Sequence, residues 1–567
     1  MQGIPLVGVG SQNRGMKRPF RLVVWIASCV LASCVGTRGT GIDPDYLYDE
    51  LGTWHRPVST DSPLAQRFVD QGLVLAYSFN HDEAIRSFTR ATEIDPRCAM
   101  AWWGIALCHG PHINFPMMPP EKSAAAWAAL QRARDPSMRA DAKERGLIEA
   151  LSKRYAEHPP EDRRPLDEAY AAAMREMWRA WPDDPDVGAL LAESLMDLHP
   201  WDLYAVDGTP RAWTSEIVAV LESVLAREPM HPAANHLYVH AVEASSNPAR
   251  ANAAADRLRT LVPDASHMVH MPSHIDIRTG RYQAAVEANQ RAMAVDREHE
   301  RRTGRTGFYR VYMAHNTHFL AFASMMEGRS ATALEAAHDV VNGFPPELLE
   351  RMGPFVDGFL PIVLETQVRF GRWNDILREP RFPDLFGVSN AVRHYARGVA
   401  FTALGRLEDA EKELVELDGL CAAMDDRPIG NNPAKVVLQI PQHVLRGEWL
   451  FRKGEHDAGL AELRAAVAIE DTLTYDEPPD WLMPVRHTLG ATLVTAGRYA
   501  EAEKAYREDL VRFPENGWSL LGLSRALEGQ GKSDEAASVR ARFERAWARA
   551  DVTLPSSCFC QPAAARP

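Results

Sequence analysis

The chain has 567 residues, of which 46% are apolar and 25% charged, and carries a formal net charge of −13. Its length and apolar content are ample for a packed core, and its acidic balance excludes a nucleic-acid partner, which would need basic side chains to neutralise phosphates. Seven cysteines scattered over this length imply no disulfide framework, and no phosphate loop, dinucleotide fingerprint, nucleophile elbow or paired zinc-knuckle cysteines occur, so no familiar enzyme signature assigns a reaction.

Residues 16–34 read as a basic stretch (Met-Lys-Arg-Pro-Phe-Arg), a short apolar run from Leu22, and Leu31-Ala-Ser-Cys34. This resembles a bacterial lipoprotein signal, in which the cysteine is lipidated and becomes the new N-terminus. Ile26-Ala-Ser-Cys29 also fits the box but leaves too short an apolar run, so Cys34 is the expected attachment point and 1–33 the signal peptide. Met16 makes a more natural start than Met1. The apolar run is too short to span a bilayer, so the expected membrane link is the lipid alone. Val35 after the cysteine resembles the pattern of outer-membrane lipoproteins, which places the chain in the cell envelope, facing the periplasm where the host has an outer membrane. Removing 1–33 takes away Arg14, Lys17, Arg18 and Arg21 and no acid, leaving a still more acidic body. Residues 34–61 are expected to form a polar tether.

From residue 62 a period of 34 residues governs the chain. In 65–98, Gly72, Ala84, Phe88, Ala91 and Pro96 fall at positions 8, 20, 24, 27 and 32 of the unit. The pattern resembles the tetratricopeptide repeat (TPR), a helix–turn–helix unit whose small residues let two antiparallel helices pack closely. The template restarts at 232 and at 266, where Ser273, Gly280, Tyr282, Ala285 and Ala292 are in place, and near 314 with Gly328 and Ala333. Later copies are anchored by Gly371, by Gly398, Gly405 and Ala410, by Gly447, Gly454 and Ala466, by Gly490, Gly497 and Ala502, and around Trp518. The resemblance implies an all-α, right-handed superhelical solenoid of TPR-like antiparallel helix pairs. An N-terminal array is expected over 62–347, a second over 348–548, and a disordered tail over 549–567. Interruptions are expected as a longer helical stretch at 121–181, loops at 199–213 and 424–433, and an insertion at 300–313.

In such repeats the first helix lines the concave face, with positions 2, 5, 9 and 12 pointing into it. In the units at 232, 266 and 314 these positions hold Ala233, His236, His240 and Glu243; His267, His270, His274 and Ile277; and His315, His318, Phe322 and Met325. Seven of the twelve are histidine, where 20 in 567 predicts fewer than one. A neutral imidazole ligates zinc, copper or iron, and two histidines four apart on a helix can reach one ion. The candidate ligands are therefore His236, His240, Glu243, His267, His270, His274, His315 and His318, holding one ion with spare supporting groups or two ions. Glu243 is the expected acid or base if chemistry occurs there. A hydrogen-bonded network that sets the angle between repeats, or a groove that grips a peptide, remains the alternative. No Glu of a His-Glu-x-x-His motif is present. Pro272 lies inside the expected first helix and must kink or start it. Met268 and Met271 beside it would favour copper if they pointed inward, and otherwise belong to the core.

The stretches 235–245, 267–275 and 314–320, with Ala-Met-Ala-Trp-Trp-Gly-Ile (99–105) and Asp-Leu-His-Pro-Trp-Asp-Leu (197–203), resemble those of a recurrent group of bacterial TPR proteins. That resemblance covers about 65–345 and implies architecture without a reaction. It marks His109, His112, His199 and Trp201 as rim residues of the groove. Trp102, Trp103, Trp178, Trp181, Tyr238 and Tyr282 read as packing between helices, or as stacking surfaces in a groove. Later units hold mixed inward residues such as Val392, Tyr395, Val399, Pro441, Val444 and Glu448, which suit a protein or peptide partner. Cys558 and Cys560 stand alone in the tail with no further ligand nearby.

Overall fold

The computed structural model describes residues 46–304, 309–345, 349, 353 and 355–561. The regular elements among the described residues are helices, apart from a hairpin of two-residue strands, Pro428–Ile429 against Asn432–Pro433. The helices form antiparallel pairs in chain order, as the repeats require: Pro63–Tyr77 with His81–Ile94, Pro232–Val242 with Asn252–Leu261, Arg310–Glu327 with Ser330–Asn342, and so on to Gly517–Gly529 with Ser533–Ala546. The chain is an all-α solenoid of TPR-like pairs. No helix among the described residues is long and apolar enough to cross a membrane.

Aromatic keys set in glycine slots explain the small-residue positions. The Phe88 ring lies so close to Gly72 that a Cβ there would come within 2.8 Å of it, and within 2.5 Å at Gly104 of the next unit. Tyr506 is wedged in the same way between Gly490 and Gly522. Where the turn inside a hairpin is left-handed, glycines such as Gly280 (φ +77°) and Gly497 (φ +73°) supply it without a Cβ penalty.

Three expectations of organisation change. The described residues form one compact unit, so the two arrays are not separate bodies. The last pairs pack back onto the third histidine-bearing helix: Trp518 Nε1 donates to the Met325 carbonyl (2.9 Å), and Ile277, Phe319, Phe322 and Met325 share a core with Leu482, Trp518, Leu521 and Leu554. The tether, over its described part, is packed: Leu51 is buried, and Arg56 Nη1 reaches Asp184 (3.0 Å) and Asp186 (2.7 Å). The tail is packed over 549–561. Leu554, Ser557, Cys560 and Gln561 are buried, Asp551 accepts from the Ser330 and Ala331 amides (2.7 and 2.9 Å), and Ser557 Oγ donates to the His487 carbonyl (2.8 Å). Its Pro/Ala-rich composition conceals three apolar anchors, Leu554, Phe559 and Cys560. The leader with Cys34 lies outside the described residues.

Candidate metal centre

Three first helices bring the histidines together. Helix Pro232–Val242 is capped by His231, whose Nδ1 accepts from the Ala234 amide (3.1 Å) and whose Nε2 meets Asp186 (3.2 Å), leaving His236 and His240 one turn apart on its inner face. At 266 the helix breaks where Pro272 demands it: Ser266–His270 and Pro272–Arg278 are joined by Met271, still in helical conformation. The Ser273 hydroxyl takes up the His270 carbonyl (2.7 Å). Because the break keeps the helical direction, His270 and His274 stay on one face. Met268 and Met271 are buried in the apolar core, as the packing alternative held.

Hydrogen bonds at Nδ1 orient four of the rings. His236 Nδ1 donates to the Tyr77 carbonyl (2.7 Å), an acceptor left over at the end of helix Pro63–Tyr77. His270 Nδ1 donates to Asn289 Oδ1 (2.6 Å), and that amide is oriented by its own Nδ2, which donates to the Ala285 carbonyl (2.8 Å). Glu243 takes His240 Nδ1 on one oxygen (2.8 Å) and His274 Nδ1 on the other (2.5 Å). With Nδ1 engaged, each of these four rings turns its Nε2 inward, the arrangement that prepares a neutral imidazole to ligate. His270 Nε2 stands 2.8 Å from His274 Nε2 and 3.1 Å from His315 Nε2, and His236 Nε2 is 3.1 Å from His267 Nε2. The buried His240 Nε2 has no hydrogen-bond partner among the described residues, nor has His267 Nδ1.

Ligand atoms within 4.8 Å of one another form three overlapping sets: His236, His240 and His267; His270, His274 and His315; and His240, Glu243 and His274. His318 joins none of them. Its ring packs on Phe359 (5.3 Å between centroids), because it lies further round its helix than His315. Glu243 sits between the two imidazole triads and holds a ring of each.

Burial pushes His236, His267, His270 and His315 well below the ordinary histidine range, with neighbouring imidazoles adding to the effect, so these rings are neutral. His240 is also lowered by burial, against the pull of Glu243. Burial opposes ionisation of Glu243 itself, yet the facing His274 and His240 outweigh it and hold the carboxyl down at about 2.

Aromatic residues in left-handed backbone wall this centre. Phe79 (φ +56°) stands where the first unit would carry its turn glycine, and its ring lies 4.6 Å from His236 and 5.6 Å from His267. Trp201 (φ +59°) meets His240 edge-on at 5.4 Å. Such conformations are costly for bulky residues and gather at functional sites. The rim expectation holds for His199 and Trp201, which line a pocket with Ile113, Leu203, His240 and Glu243, whereas His112 lies behind Phe79 (4.9 Å). Tyr475, from the far half of the chain, also lines this pocket, with its hydroxyl 3.4 Å from Glu243 Oε2.

Tyr77, Phe79, Asn289 and Tyr475 were not legible as site residues. Only Phe79 left a trace in sequence, as the missing glycine at position 15 of an otherwise regular unit.

No protein-family model and no curated protein matches the chain. Among solved structures it is similar to the human IFIT1 dimer with m7Gppp-AAAA, at 13% identity over 86% of this chain and 91% of that one, with a TM-score of 0.31. It is also similar to the APC/C hetero-tetramer Cut9–Hcn1, at 11% identity over 87% and 77%, with a TM-score of 0.29. At such identities and scores, nothing about ligand or partner passes from those proteins to this chain.

Proposed function

We propose that this chain binds two transition-metal ions side by side, one at His236, His240 and His267 and the other at His270, His274 and His315, with Glu243 orienting a ring of each set. One observation carries the reading. His270 Nε2 and His274 Nε2 are 2.8 Å apart, and the Nδ1 proton of each is committed, to Asn289 and to Glu243. Two lone pairs at that separation repel unless a cation lies between them. A proton placed on His270 Nε2 would charge that ring, which burial disfavours. The bare His240 Nε2 in the neighbouring triad supports the same reading.

Imidazole donors without thiolate suit zinc, copper or iron. Bound ions would supply a Lewis-acid or redox centre at the end of the pocket. The protein's own groups would orient the ligating rings, and Phe79 and Trp201 would limit access of bulk water to them. A groove gripping a partner peptide would need these side chains at the surface, whereas His236, His267, His270 and His274 are buried.

Elemental analysis of the untagged chain by ICP-MS should find about two equivalents of one transition metal, lost in a His240→Ala/His274→Ala double variant. Absence of bound metal after reconstitution with zinc, copper and iron would sink the reading. From the leader alone we further infer export and lipid anchoring at Cys34. Labelling with a tagged fatty acid that persists in Cys34→Ser would refute it.

A further inference from the structure

The later array holds a second cluster that the histidine centre does not use. The tail turns Cys558 and Cys560 into the inner face of this array, where they form a disulfide beside a pocket lined by Tyr395, Val399, Val444, Glu448, Trp481 and Thr488. Both sulfurs and a Glu448 carboxyl oxygen lie within 4.8 Å of one another. Glu448 is 2% exposed and its Oε2 has no partner among the described residues. The two sulfurs differ in surroundings. Cys560 is 3% exposed, while Cys558 is half-buried and its Sγ receives the Cys560 amide (3.2 Å) and the Thr488 hydroxyl (3.7 Å).

We propose that Cys558–Cys560 is a thiol-exchange centre for small thiols or dithiols that enter this pocket, with Glu448 as its proton donor and acceptor. The incoming thiolate attacks the accessible Cys558 sulfur. The disulfide breaks, and Cys560 leaves as a thiol on taking the proton of the Glu448 carboxyl, which becomes a carboxylate. A second thiolate, or the other arm of a dithiol, attacks the external sulfur of the mixed disulfide. Cys558 is released as a thiolate held by the Thr488 hydroxyl and the Cys560 amide, and the reductant departs as a disulfide. Two electrons pass from two external thiols to the protein, and the reverse sequence passes them to an external disulfide. Burial keeps the Glu448 carboxyl protonated at neutral pH, pushing it up to about 8 against the pull of Arg452, so the proton is in place.

The test follows thiol content of the full chain by alkylation and mass spectrometry during reduction with dithiothreitol and reoxidation with oxidised glutathione, with circular dichroism reporting the fold. Cys558 and Cys560 should cycle in the folded protein while the buried Cys98, Cys108 and Cys421 stay unlabelled. Glu448→Gln should slow reduction at neutral pH by roughly tenfold or more, the scale of a lost general acid. A pair that reacts only when the protein unfolds, or a Glu448→Gln rate equal to wild type, overturns the proposal. If Glu448→Gln does not fold, Thr488→Val serves: it should slow release of Cys558 during reduction, and an unchanged rate counts against the proposal in the same way.

Discussion

The inner faces of the two arrays are built on one frame and finished differently. Phe88 between Gly72 and Gly104, and Tyr506 between Gly490 and Gly522, show the same key in the same slot at opposite ends of the chain. In the units from 232 to 327 the inward positions carry imidazoles, and the space is closed by Phe79, Trp201 and a tyrosine from the distant half. In the later units the inward positions are Tyr395, Val399, Val444 and Glu448, and the chain's own tail stands where a partner peptide would lie. Helix packing is thus indifferent to what the concave face carries. The solenoid fixes where inward side chains go, and their identity decides between a cluster of imidazoles and a bed for the chain's own tail.

The largest expected effect separates the arrays through their ligands. Chelation should lower the unfolding free energy by about 4 kcal/mol for each ion that had been present at a thousandfold over its dissociation constant. The His240→Ala/His274→Ala variant should show no chelation response in a denaturant melt, and a response equal to wild type would erase the distinction.

Next in size is a pH effect at a buried carboxyl of the later array. Burial alone pushes the Glu365 carboxyl up to about 8, above its unfolded value of 4.5. The folded state accepts the protonated form, so stability is unaffected below the unfolded value and falls as pH rises toward the folded one. The slope is up to about 1.4 kcal/mol per pH unit. Glu365→Gln should make the urea midpoint fall less steeply between about pH 5 and about pH 8 than in the wild type, and an undiminished slope would place its cause elsewhere.

Smallest is a test of the tail. Leu554 is 6% exposed, so Leu554→Ala should cost about 2 to 3 kcal/mol, measured by urea unfolding, while bound metal stays at the wild-type level. A loss near zero would mean that the tail lies on the array without contributing to its stability.

The period and the inward positions were legible because they are local. Helical spacing of three and four places His236 and His240 together whatever surrounds them, and turn glycines such as Gly280 announce a left-handed backbone. His318 fitted the same register yet packs on Phe359, since position on one helix does not say which neighbour stands opposite. The groups that make the histidines a centre come from afar: the Tyr77 carbonyl is 159 residues from His236, and Tyr475 is 232 residues from Glu243. No period encodes such contacts. The tail was misjudged for a similar reason, because Leu554 and Phe559 show their purpose only against the helices that receive them.

The contact between the last pairs and the third histidine-bearing helix changes how the molecule should come apart. A linear stack of repeats unravels from its ends, each unit answering only to its neighbours. Here Trp518 is bonded to Met325, and Asp551 caps the helix that starts at Ser330, so the stack has no free end on that side. Melting is then a cooperative event rather than a fraying one. Hydrogen exchange should give the amides around His270 and those around Trp518 a common protection, and a lesion in the final repeat should be felt at the metal ligands more than two hundred residues earlier.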